Sequence, residues 1–295
     1  MSPYSDLLAR VPVDEHSGTI DAVDTRWWEY GDEKTSVDLV LVHGFRGDHH
    51  GLEPLIAGLG PRVRAVIPDL PGFGASSCFE TEVTIQAYAQ WLVAFCARVA
   101  PGAAVLGHSF GSIVVAAARG QGLVSPHTIL INPIAANALQ GPRGLMTRLA
   151  VGYYKFAAWL PERLGYALLK NKAIVRVMSV TMAKTTDRQL RRWIHHEHDT
   201  YFSVFDGRRA VLEAFQASVT HDVSEFADAL TGPTLMIVAE KDDITPLAKQ
   251  FELAQRLPRA QVSVINHVGH LVHYETPLEA TDAIRTFLSL PDRFS

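Results

Sequence analysis

A chain of 295 residues has room for one large domain or for a domain carrying an inserted subdomain, since folded units run roughly 50–250 residues, and a small scaffold held by staples is excluded. Its residues are 47% hydrophobic and 20% charged, close to the globular average, so the chain can bury a full core and is not intrinsically disordered. Lys plus Arg total 27 against 31 Asp plus Glu, a formal charge of −4; that argues against a general nucleic-acid binder, whose footprint is strongly basic.

The opening stretch, Met1 to His16, has neither a basic n-region nor an apolar h-region, and Asp6, Asp14 and Glu15 interrupt it. No secretion signal is expected there. Cys78 and Cys96 are too few for a disulfide framework or a zinc site; they suit a reducing, cytoplasmic setting and read as packing thiols. Next, Thr19 to Val23 and Thr25 to Tyr30 alternate polar and apolar residues, the pattern of an antiparallel edge hairpin.

Six short apolar runs follow: Leu39 to Val42, Val63 to Ile67, Ala103 to Leu106, Thr128 to Ile131, Thr234 to Ala239 and Val262 to Ile265. Each is four to six residues long, rich in Val, Ile or Leu and bounded by turn formers, which predicts buried strands. Thr84 to Val99, Ser112 to Arg119, Pro246 to Leu257 and Pro277 to Leu290 carry helical periodicity between them. The alternation predicts an α/β fold, a mostly parallel central sheet of about eight strands flanked by helices.

From Ile134 to Val223 no strand pattern appears, and Gly141-Pro142, Pro161 and Gly165 punctuate a helical composition. We read 134–223 as an inserted helical lid and 1–133 with 224–295 as the core domain. The most apolar stretch, Ala103 to Ala118, contains Gly107, His108 and Ser109 and falls short of the roughly 18 apolar residues that span a bilayer. No transmembrane helix is expected.

Gly107-His108-Ser109-Phe110-Gly111 matches G-x-S-x-G, in which glycines let the chain turn from strand to helix so tightly that the serine hydroxyl stands exposed over the sheet. A predicted strand precedes it and a small-residue helix follows. Serine needs a base, and the base needs an acid to fix its tautomer. Downstream, Glu240-Lys241-Asp242-Asp243 follows one strand and Asn266-His267-Val268-Gly269-His270 another, while the strand ending at Ile131 is followed only by Asn132, which supplies no carboxylate.

With these residues in place the chain resembles the α/β-hydrolase superfamily, in its cap-bearing serine esterase-like branch. The resemblance runs from Leu39-Val40-Leu41-Val42-His43-Gly44-Phe45 through Asp69-Leu70-Pro71-Gly72-Phe73-Gly74 and the Ser109 pentapeptide to the Asp242 loop and Gly269-His270. It implies Ser109 as nucleophile, Asp242 as acid and His270 as base, with Asp243 the alternative acid and His267 and His273 the alternative bases. It also implies an oxyanion hole from the backbone N–H groups of Phe45 and Phe110, and a shaping role for His43. Arg46 either reaches a substrate carboxylate or is a solvated loop arginine. No metal or cofactor is required. His195-His196-Glu197-His198 lacks the H-E-x-x-H spacing and reads as surface histidines; Gly72-Phe73-Gly74 lacks the dinucleotide fingerprint.

Between Gly141 and Trp193 stand eleven basic residues, Arg143, Arg148, Lys155, Arg163, Lys170, Lys172, Arg176, Lys184, Arg188, Arg191 and Arg192, opposed only by Glu162 and Asp187. The segment is therefore +9, and the remainder must be −13 to give −4. Interleaved are Tyr153, Tyr154, Phe156, Trp159 and Tyr166. Three readings follow: a solvated basic face over buried aromatics, peripheral contact with an anionic membrane, or attraction of an acidic substrate. The expected activity is hydrolysis of a small carboxylic ester with a hydrophobic part. C–C bond hydrolysis, lactone hydrolysis and non-hydrolytic ligand binding on the same fold are the alternatives.

Overall fold

The computed structural model describes residues 2–32, 37–137 and 144–290. Eight strands form one sheet: β1 (Val13–Ile20), β2 (Val23–Tyr30), β3 (Leu39–Val42), β4 (Ala65–Pro68), β5 (Ala104–His108), β6 (Thr128–Ile131), β7 (Thr234–Ala239) and β8 (Ala260–Ile265). Their spatial order is β1-β2-β4-β3-β5-β6-β7-β8. β1 and β2 pair antiparallel, as do β2 and β4, and every later pairing is parallel.

The hairpin is longer than the alternation predicted, and its turn falls inside the stretch expected to be strand. Asp21 and Ala22 have φ of 46° and 63°, the two positive values that a two-residue turn needs to match strand twist. Neither residue is the usual Asn or Gly, so the turn carried little sequence signal.

In chain order the helices are α1 (Ser5–Leu8), α2 (Glu53–Leu59), α3 (Ile85–Val99), α4 (Phe110–Gly120), α5 (Gly144–Trp159), α6 (Glu162–Leu169), α7 (Lys172–Met182), α8 (Arg188–Tyr201), α9 (Gly207–Thr220), α10 (Leu247–Arg256), α11 (Val272–Glu275) and α12 (Pro277–Leu288). Every residue of β3 to β7 is buried because helices cover both faces, which is why these strands read as continuous apolar runs. Successive side chains take opposite faces. Leu39, Leu41, Ile129 and Ile131 join α2 and α12 through Leu55, Ile56 and Ile284, whereas Val40, Val42, Val105 and Leu130 join α3 and α4 through Trp91, Phe95 and Ile113.

Helices α5 to α9 lie between β6 and β7 in sequence; α5, α6 and α9 contribute Tyr154, Ala157, Leu169, Val211 and Phe215 to the core on that second face, whereas α8 packs through Trp193 and Ile194 with Leu271 and Tyr274. Residues 138–143 of the expected lid, Arg143 and Gly141-Pro142 among them, lie outside the described residues. The insertion is stitched to the loop after β4: Gly74 N–H donates to Val204 O and Asp206 N–H to Gly72 O, both at 3.0 Å. The glycines there serve close approach. A Cβ on Gly74, whose φ is 56°, would lie 2.0 Å from an Asp69 carboxylate oxygen. Among the described residues no helix is long and apolar enough to cross a membrane.

Candidate active site

The C-terminal ends of the parallel strands share one edge, where ligands of open α/β sheets bind. Ser109 stands at the end of β5 and caps α4, with φ 52° and ψ −119°, a conformation costly for any residue with a Cβ. The turn is forced by backbone contact on both sides. A Cβ on Gly107 would meet the Gly111 carbonyl oxygen at 2.4 Å, and one on Gly111 would meet the Val42 carbonyl oxygen at 2.3 Å. Ser109 N–H donates to Ile131 O at 3.1 Å, and the Ser109 carbonyl accepts the Ser112 hydroxyl. Ser109 is thus locked to β6 and α4, while its side chain remains partly exposed.

His270 reaches Ser109 from the loop after β8: Nε2 lies 2.7 Å from Ser109 Oγ and Nδ1 2.8 Å from Asp242 Oδ2. The geometry fixes the tautomer, because a carboxylate only accepts; Nδ1–H donates to Asp242, and Nε2 is left to accept the serine proton. Asp242, in the loop after β7, is 4% exposed, and its second oxygen accepts the backbone N–H groups of Ile244 (2.7 Å) and Thr245 (3.1 Å). Asp243 points elsewhere, to an ion pair with Lys184. His267 is exposed beside Glu240, and His273 is buried in α11 against His108, ring centroids 3.9 Å apart. Of the candidate acids and bases, the structure brings Asp242 and His270 to Ser109 and leaves the other three apart from it.

Phe110 opens α4, so its N–H lacks an intrahelical acceptor. The loop bearing Phe45 passes against the same point, since a Cβ on Gly44 would lie 3.3 Å from Ser109 Cβ. His43 shapes that loop. Its Nδ1–H donates to Gly44 O at 2.9 Å and its Nε2 accepts Leu70 N–H at 2.8 Å, and burial holds its pKa below the usual value.

Three buried imidazoles in this part of the molecule have lowered pKa values. Burial and the neighbouring His270 push His108 down to about 3, burial and His108 push His273 well below the ordinary value, and burial with nearby His195 brings His198 to about 3. His108 Nε2–H donates to the His270 carbonyl at 3.2 Å.

These observations meet in one place: the strand order, the serine on its strained turn after β5, and the Asp and His in the loops after β7 and β8. A family model described as the alpha/beta hydrolase family matches residues 39–284. The chain belongs to the alpha/beta hydrolase family. It is 27% identical over 279 residues to the magnesium-chelatase 30 kDa subunit of Rhodobacter capsulatus, spanning 92% of this chain and 90% of that protein. It is 25% identical over 259 residues to a pimeloyl-[acyl-carrier protein] methyl ester esterase of Aeromonas hydrophila, spanning 85% and 95%. Among solved structures, an enol-lactonase from Burkholderia xenovorans LB400 superposes with a TM-score of 0.77 at 16% identity, covering 93% of this chain and 100% of that one. A thermophilic esterase from Thermogutta terrifontis gives 0.72 at 23% identity, covering 94% and 98%. At such identities the structural likeness speaks to the fold alone.

Within this alpha/beta hydrolase several side chains behave otherwise than expected. Arg46 neither faces a substrate nor lies in solvent. It is 1% exposed, and its guanidinium donates through Nε to Phe202 O (2.9 Å) and through its terminal nitrogens to Tyr154 Oη (3.2 Å) and Leu169 O (2.7 Å). Leu169 ends α6 and Phe202 caps α8, so a buried cation meets the negative ends of two helices. His195 and His198 are not surface histidines either. Both are buried, and both share the Ser179 hydroxyl through Nδ1, at 2.6 and 2.7 Å. Asn132, noted only for lacking a carboxylate, donates to Gly269 O at 3.1 Å and ties the end of β6 to the His270 loop. No local pattern marks any of these four, because each depends on which distant segment folds over it.

Aromatic rings cluster around Phe45, next to Gly44 in the loop that passes Ser109. Phe45 lies 6.0 Å from Tyr154, 5.9 Å from Phe215 and 5.8 Å from Phe73, centroid to centroid, and Tyr154 stacks on Phe215 at 3.7 Å. A polar groove of about 570 Å³ lies elsewhere, between the β1–β2 hairpin and Phe205-Asp206, and contains no member of the Ser109 cluster. Among the described residues one grouping brings metal-ligating atoms together, Asp48, His49 and His50 within 4.8 Å. Their hydrogen bonds already have owners: His49 Nδ1 binds Asp69 at 3.0 Å and His50 Nδ1 binds Asp48 at 3.2 Å, in a ring stack running from Trp28 through both imidazoles to Tyr201.

Proposed function

We propose that the chain is a serine hydrolase that cleaves carboxylic esters with a hydrophobic acyl or alcohol part. The observation that carries this reading is His270 bridging Ser109 Oγ and the buried Asp242 carboxylate through its two ring nitrogens. In the proposed sequence His270 Nε2 takes the Ser109 proton while Oγ bonds to the ester carbonyl carbon. The carbonyl electron pair moves onto oxygen, and the N–H groups of Phe45 and Phe110 receive that oxyanion, each such donor being worth about 2.7–4 kcal/mol. Collapse breaks the carbon–alkoxy bond, and His270 returns the proton to the departing alcohol. Water then repeats both steps on the acyl-enzyme, using the same base and the same donors.

Asp242 holds the imidazole in the required tautomer and stabilises the imidazolium. The neutral His108 and His273 support the same step, since an adjacent protonated ring would oppose it. The aromatic cluster of Phe45, Tyr154 and Phe215 supports an apolar substrate, as does the ester chemistry in the name of the Aeromonas relative. Ser109→Ala should abolish turnover of p-nitrophenyl esters and labelling by a fluorophosphonate probe. Labelling that persists in the variant would remove Ser109 from the role.

A further inference from the structure

Helix α5 is apolar on two faces. Tyr154 and Ala157 are buried on one, where Tyr154 meets the Phe45 and Phe215 rings. On the other, Leu149, Gly152, Phe156 and Trp159 recur at spacings of three, four and three, a single helical stripe. That stripe faces outward: Leu149 is 60% exposed, Phe156 52% and Trp159 78%, and a Cβ on Gly152 would touch nothing within 4 Å. The Phe156 and Trp159 rings stack on each other at 6.0 Å rather than on the protein. Of the eleven large hydrophobic side chains exposed among the described residues, three lie on this one stripe, and contiguous apolar patches mark interaction sites. Arg148, Lys155 and Arg163 are exposed beside it, within the segment that carries the +9 charge.

We propose that the outer face of α5 docks on an anionic lipid surface. Trp and Phe beside Lys and Arg on one amphipathic helix suit the headgroup boundary, where rings enter the acyl edge and cations meet phosphate. A second copy of this chain fits poorly, because a two-fold interface would bring the same basic residues face to face. An acidic protein would satisfy the charges, yet it gives no account of a Trp and a Phe stacked outward in water. Docking there places the lipid one helix diameter above Phe45 and Tyr154. A substrate drawn from the bilayer would then enter beneath α5; this consequence rests on the proposed role of Ser109, whereas the docking does not.

The test is co-sedimentation of the full chain with vesicles of phosphatidylcholine alone and of phosphatidylcholine mixed with phosphatidylglycerol, with Trp fluorescence recorded in parallel. Binding is expected to the mixed vesicles, with a blue shift, and to be lost at high salt. Trp159→Ala should weaken partitioning roughly tenfold, and Lys155→Glu by a similar or larger factor, while both turn over a soluble p-nitrophenyl ester at the wild-type rate and so report their own folding. Ser109→Ala should bind like wild type, so docking and catalysis fail separately. No binding to mixed vesicles at low salt overturns the proposal, as does wild-type binding by Trp159→Ala. Salt-sensitive capture of a soluble acidic protein without vesicle binding also overturns it, in favour of that partner.

Discussion

The floor of the site and the helices above it are secured by different kinds of contact. On the floor, Ser109 is held by its own backbone: a strained φ, two glycines that admit no Cβ and a hydrogen bond to β6. Asp242 is held by backbone N–H groups on the chain just ahead of it. The helices α5, α6 and α8 pack on the floor through apolar side chains and are joined to it by one long side chain, Arg46, whose donors end on Tyr154, Leu169 and Phe202. Backbone contacts fix Ser109 and Asp242 locally. A side-chain clasp next to Phe45 makes the loop after β3 answerable to where those helices sit.

The largest expected effect breaks the floor. Asp242→Asn keeps the shape but offers His270 an amide that can stabilise the wrong tautomer, and should lower kcat on p-nitrophenyl esters on the order of 10⁴-fold. Asp243→Asn removes a partly solvated pair with Lys184, worth about 0–1 kcal/mol, and should leave kcat within a factor of about three. Equal losses in the two variants would refute the assignment of the acid.

Next comes the clasp. Arg46→Met removes the donors to a tyrosine hydroxyl and a helix-end carbonyl that are buried and to a second carbonyl that is half-buried, and should cost on the order of 3 kcal/mol in urea unfolding. Because the same loop carries Phe45, kcat should fall more than KM rises, and Arg46→Lys should recover part of both. Unchanged kcat in Arg46→Met, with only stability lost, would reduce Arg46 to a structural link.

The seam between the two regions should be acid-sensitive. His108 and His198, both brought to about 3, and His273, well below its ordinary value, stay neutral in the folded protein, whereas unfolded histidines protonate near 6.5. The unfolded chain therefore binds more protons as pH falls through 6.5. Stability is fully present above that value and is lost progressively towards pH 3, at up to about tenfold in the folding constant per pH unit for each histidine. Urea midpoints between about pH 6.5 and 5, above the main carboxylate range, isolate this contribution. His198→Gln should flatten the slope by one proton and His267→Gln, at an exposed site, should not; a slope unaffected by His198→Gln would contradict the burial argument.

Much of the floor was legible because its rules are local. β3, β6 and β7 have the bounds predicted from Leu39 to Val42, Thr128 to Ile131 and Thr234 to Ala239, each a buried run closed by a polar residue. The three side chains that meet at Ser109 each stand at a strand end, a place the apolar runs mark. Helix α2 was missed because seven residues give too few turns for a period to show. The upper helices were legible only as helices. Tyr154 and Trp159 stand five residues apart on α5, one buried and one 78% exposed, and nothing local to α5 says which stripe meets the core. Arg46 reads as a surface residue until Leu169 and Phe202, more than a hundred positions away, supply its acceptors.

The smallest effect is also the sharpest test of how the floor is held. Ser109→Ala and Ser109→Gly both remove the hydroxyl and its bond to His270, so both should be inactive and their difference reports backbone alone. At φ 52° and ψ −119° an alanine Cβ is strained and glycine is not. Ser109→Gly should therefore be the more stable, by about 1 kcal/mol after glycine's greater freedom in the unfolded chain has opposed the gain. Equal midpoints would mean that the turn stores no strain, and that Gly107 and Gly111 alone set the position of the hydroxyl.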